Sequence, residues 1–263
     1  MNSAQPYVGI TGVTTAKEVE SVIKEYAIAG YTMTSKHIPM LGYLMSQKTI
    51  SNIPNDNRRV IDYSRRKELF AAAGGNALTM IHYFTKEKET LADQIEIAFD
   101  SLYPDLCRAV QLNVNLPLID QVKQIKHKFP HMQIVFQANR YIIEEKEPKD
   151  VAKIIQDYAP FIDYVLIDPS GGTGKDFDLK VCANLYRLIK ETSPNLTLGF
   201  AGGLSGENVY DRAKDLITVV KANDFCIDAE GKLRTKFSRK KDDDFLSMEK
   251  VRKYLIESAK VLY

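Results

Sequence analysis

The chain has 263 residues, 44% of them hydrophobic, and its 36 lysine and arginine residues nearly balance 34 aspartate and glutamate residues, leaving a net charge of +2. This balance gives no general reason to expect a nucleic acid or an anionic membrane as partner. The three cysteines, Cys107, Cys182 and Cys226, are odd in number and widely spaced, which argues against a disulfide framework and a zinc motif. The absence of a secretory leader pattern and of a long apolar run predicts a cytoplasmic protein.

Eight short runs rich in Val, Ile, Leu, Tyr and Phe alternate with longer amphipathic segments, a pattern that indicates repeated βα units. Strands this apolar are typical of a parallel sheet that is buried beneath helices. We therefore predict an α/β fold, a single (β/α)8 TIM barrel over residues 1–263 with eight parallel strands and outer helices. The predicted strands are 7–11, 39–44, 78–84, 109–112, 133–137, 164–168, 197–201 and 225–228.

Helices are predicted between the strands, because apolar residues recur there at helical spacing. Two segments depart from the repeat. Residues 46–77 form an extended insertion around a polar helix, either a mobile lid or a solvated surface segment, and residues 232–244, with dense charge of both signs, are predicted as a loop. The predicted helices are 16–27, 91–101, 118–128, 148–158, 179–191, 206–216 and 247–261.

The segment VLIDPSGGTGKDFD places Asp168 at the end of the sixth strand, directly before a glycine-rich loop that contains Gly172 and Gly174. Barrel enzymes keep catalytic groups at the carboxyl ends of strands, and glycines let the backbone approach a ligand closely. A structural turn-capping role for Asp168 is the alternative. The loop is not a Walker motif, because Pro169 and Asp176 stand where glycine and a hydroxyl residue are needed.

A second glycine-rich segment, GFAGGLSGENV, follows the seventh strand, and its Gly202 and Gly203 precede a predicted helix start. The loops after strands seven and eight form the usual phosphate site of such barrels. After the eighth strand, FCIDAEGK supplies Asp228 at the strand end and Gly231 just beyond it. These loops predict a phosphorylated ligand.

Taken together, AVQLN, VLIDPSGGTGKDFD, AGGLSGENV and FCIDAEG resemble, in order and spacing, the strand-end motifs of phosphoribosylanthranilate isomerases. The resemblance implies a step of tryptophan biosynthesis, an Amadori-type conversion of an aldose into a ketose. It further implies that Asp168 is the general acid, and that Gly202, Gly203 and Gly231 surround the phosphate. Arg58 or Arg59 would be the arginine that meets the substrate carboxylate, a group that suits a guanidinium.

The opening motif departs from that family, in which a cysteine is the general base. Thr11 stands in the place of this cysteine when the motif is aligned without a gap through the first helix, and Val8 does so in a competing register. A threonine hydroxyl does not readily accept a proton at neutral pH. Asn113 also replaces a family histidine. Asp228 and Glu230 are better placed as substitutes for the base, whereas a lone histidine such as His82 is more often a satisfied core residue.

Three functions follow from this pattern. The first is an isomerase with Asp168 as acid, and the second is a lyase or epimerase that uses Asp168 and Asp228 as an acid and base pair. The third is a noncatalytic binding protein. Neither a metal nor a cofactor is expected, because the sequence shows no metal-ligand spacing and no dinucleotide-binding fingerprint. The expected partner is a phosphorylated small molecule, not nucleic acid or membrane, and the chain is expected as a monomer or homodimer.

Overall fold

The computed structural model describes residues 3–169, 178–238 and 243–263. Eight parallel strands form a closed barrel in which each strand pairs with the next along the chain and the eighth pairs with the first. The predicted barrel is confirmed. Its strands are β1 Tyr7–Thr11, β2 Ile38–Ser46, β3 Leu78–Phe84, β4 Ala109–Leu112, β5 Gln133–Asn139, β6 Tyr164–Asp168, β7 Thr197–Ala201 and β8 Cys226–Ala229.

Helices cover the outside of the barrel, and the seven that were predicted from apolar spacing bury their apolar faces, whereas the four-residue helix in the insertion buries only Thr49. The helix predicted from residue 206 begins instead at Val209, because Ser205 and Asn208 form a turn ahead of it. The helices are α1 Ala16–Ile28, α2 Gln47–Ile50, α3 Arg66–Ala71, α4 Leu91–Phe99, α5 Ile119–Lys128, α6 Arg140–Glu145, α7 Pro148–Tyr158, α8 Leu179–Thr192, α9 Val209–Val220 and α10 Met248–Leu262.

The barrel interior changes from apolar to polar along its axis. Alternate residues of each strand point inward, and toward the amino ends these form a separate core cluster that includes Tyr7, Met40, Met80 and Tyr164. The rings of Tyr7 and Tyr164 lie 5.6 Å apart. This cluster, hereafter the interior plug, fills the amino half of the barrel and supports the polar side chains above it.

The predicted insertion at 46–77 packs partly against the barrel. The α3 residue Phe70 is 1% exposed, and its ring stacks on that of Tyr43 from β2 with centroids 4.0 Å apart. Ile61 is also buried, and Val60 bridges to the end of β2 at Leu44. A wholly solvated segment is therefore the wrong description of this insertion, although residues 51–56 are exposed.

The prediction of a loop at 232–244 was wrong in part, because the two ends of this segment pair as a hairpin. Strands β9 Arg234–Lys236 and β10 Asp244–Leu246 are antiparallel. A buried ion pair joins Arg234 to Asp244 within this hairpin. Two of the opposite charges in this segment therefore form an ion pair between the two strands.

Within the described parts of the chain, no helix combines the length and the apolar character needed to span a bilayer.

Candidate active site at the carboxyl end of the barrel

A cavity of about 300 Å³ opens at the carboxyl ends of the strands, above the interior plug. Six predicted site residues line it, namely Asn113, Asp168, Gly202, Gly203, Asp228 and Gly231. The cavity therefore brings together the ends of β4, β6, β7 and β8. The other lining residues named below are His82, Gln111, Asn115, Gln137, Asn139, Tyr141, Glu230 and Lys232.

Asp168 is the last residue of β6, and its side chain faces the cavity from a buried position. Gln137, which faces inward from the neighbouring strand β5, donates a hydrogen bond from Nε2 to Asp168 Oδ2 over 2.8 Å. This bond fixes the carboxyl in the cavity wall, as expected for a group that must meet a ligand in one orientation.

Asp228 lies on β8 in the same wall, and Thr11 of β1 orients it. The Thr11 hydroxyl lies 2.9 Å from Asp228 Oδ1 and 3.1 Å from Oδ2, and it donates its proton to this carboxyl. Thr11 does not line the cavity itself. A Cβ at Gly9 would lie 2.6 Å from Asp228 Oδ1, so the glycine leaves the space that this carboxyl occupies.

Burial raises the pKa of the Asp228 carboxyl to about 8, and the negative charges of Glu230 and Asp168 act in the same direction. The hydrogen bond from Thr11 opposes this rise. Asp228 is consequently protonated for most of the time at neutral pH. A buried carboxyl in that state can donate a proton to a ligand.

The turn after β7 is built on two glycines in left-handed backbone conformations, with φ of 116° at Gly202 and 64° at Gly203. Asn208 closes this turn, because its Nδ2 donates to the Gly203 carbonyl over 2.9 Å and its Oδ1 accepts from the Ser205 amide over 2.8 Å. Helix α9 begins at the next residue, Val209. This explains why asparagine accompanies the glycine pair in the sequence motif.

The charges around the cavity are largely compensated. Glu230 accepts a hydrogen bond from Arg59 Nη1 over 2.8 Å, and Asp228 is mainly neutral at pH 7. Lys232, on the loop after β8, adds a positive charge to the lining. Arg59 and Lys232 thus offset part of the negative charge of the cavity wall. No group of three or more His, Cys, Asp or Glu side chains in the described ranges is arranged to hold a metal ion.

Neither candidate arginine belongs to the lining of this cavity. Arg59 pairs with Glu230 and with Asp244, whose Oδ2 lies 2.6 Å from its Nη2, while Arg58 is 62% exposed and pairs with Asp243. Both side chains thus bind the segment after β8, which gives no support to a carboxylate-binding role. Gly172 and Gly174 lie outside the described residues.

Of the polar side chains on and just after β4 and β5 that line the cavity, only Asn113 was predicted from the sequence. Gln111, Asn113 and Asn115 follow one another at two-residue intervals, as do Gln137, Asn139 and Tyr141, and all six line the cavity. The signal was present in QLNVN and QANRY, because polar residues at every second position of a buried strand share one face.

His82 is both a buried residue and a cavity residue. It faces inward from β3, is 2% exposed, and has no hydrogen-bond partner at Nε2 among the described residues. Burial lowers the pKa of His82 to about 3, so the imidazole is neutral. It is therefore a poor proton acceptor near pH 7, but it can form hydrogen bonds.

No family model matches the sequence, and no curated protein matches it. Among solved structures, a protein described as QR15, an aldolase, is similar to this chain with a TM-score of 0.53 and 12% identity, over 85% of this chain and 89% of its own. At this identity the likeness establishes the barrel fold alone. The resemblance to phosphoribosylanthranilate isomerases therefore rests on the strand-end motifs.

Proposed function

We propose that the chain is an enzyme that transfers a proton beside the carbonyl group of a phosphorylated sugar, most simply an isomerase that converts an aldose into a ketose. The observation that carries this proposal is the pair of buried carboxyls, Asp168 and Asp228, in one wall of a cavity that also contains the Gly202–Gly203 turn. Carboxyls in different environments are suited to separate acid and base roles.

The raised pKa of Asp228 leads us to reverse the roles that the resemblance implies: Asp228 donates a proton to the ring or carbonyl oxygen of the substrate, and Asp168 removes a proton from the carbon beside the carbonyl. Asp168 then returns this proton to the former carbonyl carbon, and Asp228 recovers its own from the neighbouring hydroxyl, which completes the isomerisation. Thr11 and Gln137 hold the two carboxyls in place through the hydrogen bonds described above. Proton transfer from positioned groups of this kind contributes about 10²- to 10⁴-fold to rate. Asp168 thereby takes the role of base that Thr11 cannot fill.

The phosphate is proposed to lie against the Gly202–Gly203 turn and Gly231, with Lys232 nearby. We expect Gly203→Asp to weaken binding of inorganic phosphate or a sugar phosphate at least tenfold, because it adds a negative charge and a side chain where the anion lies. Titration calorimetry measures this change.

Gly75→Asp is the matched control, since Gly75 also has positive φ, 73°, and an added Cβ there meets nothing within 4 Å. It carries the same backbone strain and charge at a glycine outside the cavity. If both variants weaken phosphate binding equally, or if neither weakens it, the phosphate lies elsewhere.

The proposed reaction is tested by incubating the protein in D2O with phosphoribosylanthranilate, the substrate that the resemblance implies, and with a series of phosphorylated aldoses and ketoses. We expect deuterium at the carbon beside the carbonyl, detected by NMR, and an exchange rate reduced about 10²-fold or more in Asp168→Asn. Exchange that is absent from every substrate, or equal in the variant, contradicts the proposal.

The same experiment separates isomerisation from carbon–carbon cleavage, because an isomerase returns one product with the carbon chain intact and a lyase returns two fragments. None of the eight described barrel strands contains a lysine. A Schiff base on a residue of these strands is therefore excluded, whereas Lys232 in the cavity lining carries an amine.

A further inference from the structure

The cavity wall opposite the glycine turn is formed by uncharged polar side chains. Gln111 and His82 lie side by side in the register of β3 and β4, and both are 2% exposed. Gln111 Nε2 donates to Asn113 Oδ1 over 2.7 Å, which orients the terminal amide. Asn115 and Asn139 continue this wall toward the mouth of the cavity.

Two atoms at the base of this wall have no partner among the described residues, namely His82 Nε2 and Gln111 Oε1. Buried polar groups nearly always have a hydrogen-bond partner, and leaving them unpaired is costly. Gly42 faces this point from β2, where a Cβ would lie 2.7 Å from His82 Nε2. The glycine thus keeps free the space around these atoms.

We propose that His82 and Gln111 form a subsite that binds a hydroxyl group of the ligand, so that the substrate is a polyhydroxylated phosphate and not an alkyl phosphate. This rests on the proposed function and specifies its substrate class. A site built to hydrogen-bond a hydroxyl discriminates strongly against an analogue that lacks it.

The test compares two probes of equal chain length, a pentitol phosphate and pentyl phosphate, by titration calorimetry. We expect the wild-type protein to bind the pentitol phosphate more than tenfold more tightly. Gln111→Met keeps the length of the side chain but removes its amide, so it should cut this preference about tenfold while leaving pentyl phosphate binding unchanged.

Gln133→Met is the matched control, because Gln133 Oε1 is also buried without a partner in the described structure, but at the amino end of β5 and outside this cavity. It should leave the preference intact. An unaltered preference in Gln111→Met means that the two atoms hold a water molecule or pair internally, and overturns the subsite. An equal effect of the two variants overturns it as well.

The outcomes also separate this inference from the proposed function. Binding of unphosphorylated pentitol that depends on Gln111, without any phosphate preference or deuterium exchange, would retain the subsite and refute the phosphosugar enzyme. Deuterium exchange in a protein that binds pentitol phosphate and pentyl phosphate equally well would support the phosphosugar enzyme and refute the subsite. Failure of all three compounds to bind would refute the subsite.

Discussion

Replacing Asp228 by asparagine is expected to reduce turnover about 10²- to 10⁴-fold and, at the same time, to make the folded chain more stable at neutral pH. The loss follows because an amide cannot donate the proton that the substrate oxygen needs. The gain follows because burial raises the pKa of this carboxyl to about 8, so its ionisation is unfavourable in the fold. Asparagine has nearly the same shape and no charge.

The sign of the pH dependence follows from proton binding. Unfolded aspartate has a pKa of about 3.9, so between pH 4 and 8 the folded chain holds a proton at Asp228 that the unfolded chain has released. Stability due to this group is therefore present below pH 4 and declines as pH rises to about 8. The decline is at most about 1.4 kcal/mol per pH unit.

Urea denaturation of wild type and Asp228→Asn at pH 4 to 9 measures this difference. The two free energies of unfolding should converge near pH 4 and separate progressively toward pH 8. Asp56→Asn, at an exposed position, is the control and should follow the wild type. Parallel curves for wild type and Asp228→Asn would contradict the raised pKa. Wild-type activity that rises through pH 8, instead of falling, would reverse the proposed roles of Asp228 and Asp168.

Asp244→Ala is expected to destabilise the fold by about 3–5 kcal/mol, because it removes the shared partner of two arginines and leaves the buried charge of Arg234 uncompensated, while Arg59 keeps Glu230. The side chains of Asp244 and Arg234 are each 2% exposed, and that of Arg59 is 14% exposed. Burial alone would raise the pKa of Asp244, but the hydrogen bonds from Arg59 and Arg234 outweigh it and lower the pKa. This stabilisation is present at neutral pH and is lost on acidification.

Asp243→Ala is the control for this prediction at the adjacent position. Its partner Arg58 is 62% exposed, so this ion pair should contribute below about 1 kcal/mol. Urea denaturation at pH 7 compares both variants with the wild type. A loss of similar size in both would indicate that the hairpin backbone, and not the buried charges, determines the stability of this region.

The barrel could be predicted from the sequence because its signal is local and repeated. The bounds of β1, β3, β4, β6 and β7 agree with the apolar runs, each of which is followed by a polar residue, glycine or proline. The hairpin of β9 and β10 was missed because a run of mixed charge has no apolar period. Its cross-strand partners, Arg234 and Asp244, become evident only in three dimensions.

The same contrast applies to the cavity. Asp168, Asp228 and the glycine turn could be placed because they follow strands directly, and all parallel strands end on one side of a barrel. Arg59 could not be placed, since Asp244, its partner, is 185 residues away along the chain. The polar faces of β4 and β5 were detectable from their spacing, but short strands with mixed residues conceal the alternation.

The interior plug has a kinetic consequence. Tyr7, Tyr164, Met40 and Met80 close the barrel below the cavity, so a ligand has no passage through the barrel axis and enters and leaves on the carboxyl side. Substrate and product must then exchange through one opening in turn. If the chain turns over a phosphosugar, we expect the product to inhibit competitively, and larger molecules that cap the opening to trap a ligand already inside.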